Sequence, residues 1–294
     1  MDPVRASRSA GDGAQSSGSL TLSVLGTRSG MPRPGEPSSG YLLTAEHTDM
    51  LFDCGPGIAG SVVAPETLDA VFISHLHADH CYDILPLGKA IIAPHVSYPQ
   101  GDVESELTTA PGRIPLYVPA GALPTLRTLQ TLFPVVSTPA LDQAIELAFD
   151  IREYQPFDQM KVGECLVTAS PARHVVATCG FRVESASGTF AYTSDTGWTD
   201  ALVELANDVD LLLCEATLQH ADAGPHGHLS AREAGMLAAA ANVSSLVLTH
   251  FSRTDRAWLD ALREDAAAEF SGPVHIATPG AEFILRATRE EVPR

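Results

Sequence analysis

Ser74-His75-Leu76-His77-Ala78-Asp79-His80 decides how this chain is read. Four potential ligands, His75, His77, Asp79 and His80, fall within six residues, directly after the β-branched and aromatic run Val71-Phe72-Ile73. In a continuing strand successive side chains point to opposite faces and could not converge, so the run must end in a turn. Imidazole nitrogens and a carboxylate oxygen at this density suit Zn²⁺, with Mn²⁺ or Fe as competitors. A lone buried histidine is commonplace, whereas HxHxDH at a strand end is not.

Upstream, Leu20 to Val24 alternates as a strand and stops at Gly26 in a loop rich in Gly and Pro. Tyr41 to Ala45 and Met50 to Asp53 are two further strand candidates. Downstream, residues 84–154 read as less regular. They hold many prolines, a mobile or disordered patch from Pro99 to Arg113, and a helix near Leu123 to Leu132. Strands follow at Cys165–Ser170, Thr178–Val183, Phe190–Ser194 and Leu211–Glu215. Ser230-Ala-Arg-Glu233 is a capping box opening an Ala-rich helix, ahead of a strand at Leu246–Thr249. A helix near Asp255–Glu269 and a strand near Glu282–Leu285 complete an α/β pattern with no linker. The expectation is one domain over residues 20–294 behind a flexible tail of residues 1–19.

The chain has 294 residues, 45% of them apolar, enough to bury a core and to exclude disorder throughout. Its apolar stretches fall far short of the ~20 residues a membrane span requires, so no membrane partner is expected. Against 36 Asp and Glu stand 18 Lys and Arg, a net charge of −18 that argues against a broad nucleic-acid footprint. A small anionic substrate is still admissible, because a metal cluster reverses the field locally. The five cysteines are odd in number and form no CxxC pair, as expected for buried free thiols in a reducing compartment. The N-terminus lacks the apolar core of a secretory signal. A cytoplasmic protein is expected.

With these motifs in place, the chain resembles the metallo-β-lactamase superfamily, whose signature is HxHxDH, over nearly all of residues 20–290. His174, in Ser170-Pro-Ala-Arg-His174, matches the family's third isolated histidine. Asp195, in Tyr192-Thr-Ser-Asp-Thr-Gly197, matches its bridging aspartate, and His250, in Leu246-Val-Leu-Thr-His250, its final histidine. The resemblance implies a four-layer αβ/βα sandwich with two sheets back to back and the site at one edge. It also implies two Zn²⁺ ions, with Mn²⁺ or Fe as substitutes. His75, His77 and His174 would hold one ion, Asp79, His80 and His250 the other, and Asp195 would bridge them. A water between two cations is acidified toward hydroxide and becomes the nucleophile, with Asp79 orienting its attack.

The loop Gly26–Pro32, the segment Ser38-Ser39-Gly40-Tyr41, Leu213-Cys-Glu-Ala-Thr217 and His228-Leu-Ser230 resemble the phosphodiesterase-type members, ribonuclease Z among them. By that likeness His228 is the candidate proton donor, with His226 as competitor, and Glu215 orients it. Asp53, in Asp53-Cys54-Gly55, supports the metal loop by hydrogen bonds. Arg173 is the cation most suited to meet a phosphate, ahead of Arg28 and Arg33.

A tRNA substrate is not expected. Only 21 positions separate His174 from Asp195, too few for the tRNA-binding arm of those endonucleases, and the charge is repulsive. The resemblance then points to the smaller hydrolases that open a 3′,5′-cyclic nucleotide to its 5′-monophosphate. Residues 84–154 match no relative, and in this fold they form part of the substrate wall. The main alternative keeps the site but attacks a carboxyl ester, lactone or thioester. A second rival places one iron there for redox chemistry. Branch members are often dimers, so a homodimer is implied as well.

Overall fold

A computed structural model of the chain describes residues 18–97, 107–135, 138–222, 224 and 226–286. Its strands form two sheets of seven. The first takes β1 (Ser19–Gly26), β2 (Gly40–Ala45), β3 (Thr48–Phe52), β4 (Ala70–Phe72), β5 (Ile114–Pro119) and β6 (Phe149–Tyr154) in chain order. The second runs from β7 (Gln159–Val162) through β8 (Cys165–Pro171), β9 (Cys179–Ser185), β10 (Gly188–Tyr192), β11 (Leu211–Glu215) and β12 (Leu246–Thr249) to β13 (Val274–Ile276). The last strand, β14 (Glu282–Arg286), returns to the first sheet and pairs antiparallel with β1.

Each sheet is an antiparallel meander that becomes parallel, at β3 in the first and at β10 in the second. Parallel neighbours need crossovers, and these supply the helices. The first sheet carries α1 (Ala78–Cys81), α2 (Ile84–Ile92), α3 (Leu123–Thr131) and α4 (Ala144–Ala148). The second carries α5 (Ala201–Ala206), α6 (Ala231–Ala240) and α7 (Arg256–Ala267).

The period-2 geometry of the strands divides the apolar residues among three cores. Leu20, Leu22, Tyr41, Leu43, Met50, Phe52 and Phe72 face the second sheet's Phe181, Val183, Phe190, Tyr192, Leu211 and Leu213 across the centre. Their alternates Leu42, Leu51, Val71 and Ile73 pack under α2 and α4. Ala191, Leu212, Cys214, Leu246 and Leu248 pack under α5 to α7. Helix, sheet, sheet, helix is the expected four-layer sandwich. Two tyrosines pin it: Tyr192 reaches across to donate to Asp53 Oδ2 at 2.7 Å, and the Tyr41 hydroxyl meets Thr249 Oγ1 at 2.8 Å.

Residues 84–154 are more regular than expected. They supply α2, β5, α3, α4 and β6, and so two of the first sheet's strands. The prolines at 115 and 119 argue against a strand in the sequence, yet β5 lies between β4 and β6. Of the expected tail, residues 1–17 lie outside the described residues, and Ser19 already opens β1. Of the expected mobile patch, 99–106 lie outside them too, while Leu107 bridges to Val96. All five cysteines are buried and free. No helix among the described residues is long and apolar enough to cross a membrane.

Candidate metal centre

Every candidate ligand and both supporting carboxylates leave the carboxyl end of a strand, where an α/β sheet can open a cleft, while His228 lies in the loop before α6. Asp53 follows β3, the His75–His80 loop follows β4, and His174 follows β8. Asp195 follows β10, Glu215 ends β11, and His250 follows β12. Three of these turns hold a non-glycine residue in the left-handed region: Asp53 at φ 60°, Ser194 at φ 53° and His250 at φ 57°. Such a conformation costs on the order of 1–3 kcal/mol each and persists because the surrounding packing imposes it. The turn it makes breaks the strand alternation and aims the site's side chains at one gap.

Two clusters adjoin there, and His228 forms a third, overlapping group with Asp195 and His250. His75 Nε2 and His174 Nε2 lie 3.0 and 3.2 Å from His77 Nδ1, and 3.7 and 3.9 Å from Asp195 Oδ2. Beside them, His80 Nε2 is 3.3 Å from His250 Nε2 and 3.7 Å from Asp79 Oδ2, while His250 Nε2 is 3.4 Å from Asp79 Oδ2. Asp195 faces both, with Oδ2 3.3 Å from His80 and Oδ1 3.3 Å from His250. Tetrahedral ligands around a Zn²⁺ at its usual bond lengths stand about 3.3 Å apart. The clusters have that size.

Protonation makes the same point. Ser74 donates to Asp53 Oδ2, so its Oγ, 3.0 Å from His75 Nδ1, accepts that ring's N–H. His80 Nδ1–H donates to Asp53 Oδ2 at 2.8 Å, and His174 Nδ1–H to the Gly227 carbonyl at 3.0 Å. In its neutral form each ring turns the lone pair of Nε2 into the gap, toward other lone pairs and two carboxylates. Asp195 Oδ1 is buried and accepts no hydrogen bond. A cation satisfies all of these groups at once, so the residues fit a divalent metal.

Protons can stand where a cation would: burial opposes the His80 cation, but Asp195 and Asp53 outweigh it and raise that pKa well above the ordinary histidine value. Burial opposes ionisation of Asp195, but the imidazoles of His250 and His80 outweigh it and hold the carboxyl well below the usual carboxylate range. Burial, reinforced by the His80 ring, keeps the His75 imidazole from taking a second proton near neutrality.

Asp53 accepts four hydrogen bonds, from the Ser74 N–H, the Ser74 hydroxyl, His80 Nδ1 and Tyr192, and so locks the start of the metal loop. A Cβ at Gly55 would fall on the Asp79 carbonyl oxygen, so that close passage needs glycine. Glu215, fully buried, accepts from the Thr196 N–H at 2.6 Å, from the Thr217 hydroxyl at 2.6 Å, and from His228 Nδ1 at 3.0 Å. The half-buried His228 ring stands 5.0 Å from that of His174 and 5.6 Å from that of His250. Its competitor His226 is exposed. Burial disfavours the His228 cation, but the Glu215 carboxylate more than offsets this and raises its pKa above the ordinary histidine value.

Arg173 sits beside His174, and its guanidinium donates to the carbonyls of Trp198 and Gly224 at 3.3 Å. It clamps the turn after Asp195 to the loop that carries His228. Arg28 is buried with Nη1 3.6 Å from Glu36. Sequence reasoning missed Ser74, Tyr192 and Thr217 as supports. Two had a signal: Ser74 abuts the first ligand, and Thr217 is two residues past Glu215. Tyr192 had none, because its partner Asp53 lies 139 positions away.

An apolar groove of about 390 Å³ lies nearby, lined by Leu76, Ala78, Cys81, Tyr82, Leu129 and Leu132. Ala78, Cys81 and Tyr82 share one face of α1, with Asp79 and His80 on the other, so the groove backs onto the metal loop.

A two-sheet sandwich with histidines and aspartates gathered at its strand ends defines a metal-dependent hydrolase. The chain belongs to the beta-lactamase superfamily: residues 48–251 match the model described as "Beta-lactamase superfamily domain". An uncharacterised protein of Mycobacterium tuberculosis is 34% identical over 289 residues, covering 91% of this chain and 93% of that one. The "probable metallo-hydrolase YhfI" of Bacillus subtilis is 30% identical over 265 residues, 89% of this chain and 98% of that one. Its crystal structure matches with a TM-score of 0.75 at 26% identity, over 91% of this chain and 99% of that one. A ribonuclease Z from Kineococcus radiotolerans is 29% identical over 311 residues, covering 87% of this chain and 92% of that one.

Proposed function

We propose that this hydrolase cleaves a small anionic phosphodiester, with a 3′,5′-cyclic nucleotide opened to its 5′-monophosphate as the favoured substrate. His75, His77 and His174 would hold one divalent ion, Zn²⁺ first, and Asp79, His80 and His250 a second, with Asp195 placed between the clusters. Such ions supply Lewis acidity toward the phosphoryl oxygens and acidify a water for attack at phosphorus.

The rest falls to the chain's own side chains. Asp79 Oδ2 accepts the Gly30 N–H at 2.6 Å, which fixes the carboxylate where it can orient the attacking water. The bond to the 3′ oxygen breaks as the water oxygen adds to phosphorus, and the departing alkoxide needs a proton. His228 holds Nδ1–H toward Glu215, and its Nε2–H is the proton it can give. That dyad beside the clusters is the observation that carries the reading, because it suits an alkoxide leaving group and a thiolate would need no such acid, while the likeness to a ribonuclease Z supports phosphorus over a carbonyl as the centre attacked. Arg173, next to His174 in the chain, would add positive charge for an anionic substrate while its guanidinium holds the Trp198 and Gly224 carbonyls.

The test uses metal-loaded protein on a 3′,5′-cyclic nucleotide, bis-p-nitrophenyl phosphate, an acyl-thioester and a lactone side by side. The expected result is turnover of the phosphodiesters with release of the 5′-monophosphate. Asp195→Ala should lower that turnover on the order of 10⁴-fold. Protein that processes only the thioester or lactone overturns the proposal.

A further inference from the structure

Thr217 is buried between two groups of the site. Its Oγ1 stands 2.6 Å from Glu215 Oε2, 2.8 Å from His250 Nδ1 and 3.0 Å from the His250 carbonyl oxygen. A hydroxyl has one proton to give and can accept as well. The shortest contact and the only charged acceptor is Glu215, so the proton goes there. Oγ1 is then left to accept the Nδ1–H of His250.

We infer that Thr217 is a positioning residue: by fixing the proton of His250 on Nδ1 it keeps Nε2 open for metal, tying this half-site to the carboxylate that orients His228. The inference rests on the two clusters being metal sites. His250 Nε2 lies 3.4 Å from Asp79 Oδ2 and 3.3 Å from Asp195 Oδ1. Both oxygens accept protons. Without a competing acceptor at Nδ1, the ring's proton settles on Nε2 against those carboxylates, and every metal ion that binds must first displace it. The Thr217 hydroxyl offers the acceptor on the other side. Glu215 strengthens it, because a hydroxyl donating to a carboxylate is a better acceptor itself. The same Glu215 also takes His228 Nδ1 and the Thr196 N–H next to Asp195. One buried charge thus sets a ligand, the bridging residue's backbone and the proton donor.

The test measures metal affinity, not turnover. Zn²⁺ is titrated into the metal-free full chain against a chromophoric chelator, for wild type, Thr217→Val, Thr217→Ala and Thr217→Ser. Circular dichroism establishes that each variant is folded. The expected result is two ions per wild-type chain and a 10–100-fold weaker second ion in the Val and Ala variants. Thr217→Ser, which keeps the hydroxyl, should restore affinity to within about threefold of wild type. If Thr217→Val does not fold, the Ala and Ser pair decides. In a Glu215→Gln background, Thr217→Val should cost much less, since the relay has already lost its charged end. A wild-type chain without a second ion removes the two-ion reading on which the inference rests. Two ions bound equally tightly by wild type and the hydroxyl-deleted variants overturn the role of Thr217 alone.

Discussion

Asp53 and Glu215 are the same device built once in each sheet, a buried carboxylate at the end of a parallel strand that holds imidazoles by Nδ1. Asp53 holds His80 directly and His75 through Ser74 Oγ, and both rings are fully buried. Glu215 holds His228 directly, and that side chain keeps 19% exposure and faces the gap. Asp53 also takes Tyr192 from the opposite sheet, whereas Glu215 takes its donors from its own sheet. On the proposed function the difference is a division of labour. The first carboxylate joins the sheets and stiffens the loop of the candidate ligands, and the second supports the proposed proton donor.

Four substitutions test that division, in decreasing order of effect. Asp53→Asn should be the most damaging, because an amide cannot accept from His80, Ser74 and Tyr192 together. Urea unfolding of the metal-free chain should show a loss of about 3 kcal/mol or more, with metal content falling as well. Glu215→Gln should cost less in unfolding, about 1–3 kcal/mol, but should slow cyclic-nucleotide opening on the order of 10²–10⁴-fold. His228→Gln should slow the same reaction by a similar factor. Its metal content and urea midpoint should stay at wild-type values, and bis-p-nitrophenyl phosphate, with its better leaving group, should be hit less. An equal loss on both substrates would place His228 among the binding or metal groups and blur the contrast. Tyr192→Phe removes one of the four donors to Asp53 and should cost about 1 kcal/mol by urea unfolding with little change in turnover.

How much of this was legible in the sequence follows from the range of each signal. The strands at Leu20, Tyr41, Leu211 and Leu246 and the capped helix after Ser230 show themselves in a few neighbouring residues, and the structure puts them there. The β5 and β6 strands did not. Prolines interrupt one, and Asp150, Arg152 and Glu153 decorate the other, which lies at the sheet's edge and tolerates polar residues. The α2 helix, Ile84–Ile92, went unread because Pro86 sits in its first turn, where a proline is in fact tolerated.

The amino-acid order alone determined which residue types could bind metal, because HxHxDH concentrates them within one turn, and where the chain must break its strands. The folded sandwich decided which nitrogen each ring presents. It also decided which of His226 and His228 reaches the gap, and which carboxylate serves each half. Those choices depend on hydrogen bonds between residues as far apart as Asp53 and Tyr192 or Thr217 and His250. No local pattern encodes them, since only packing the two sheets brings the partners within reach.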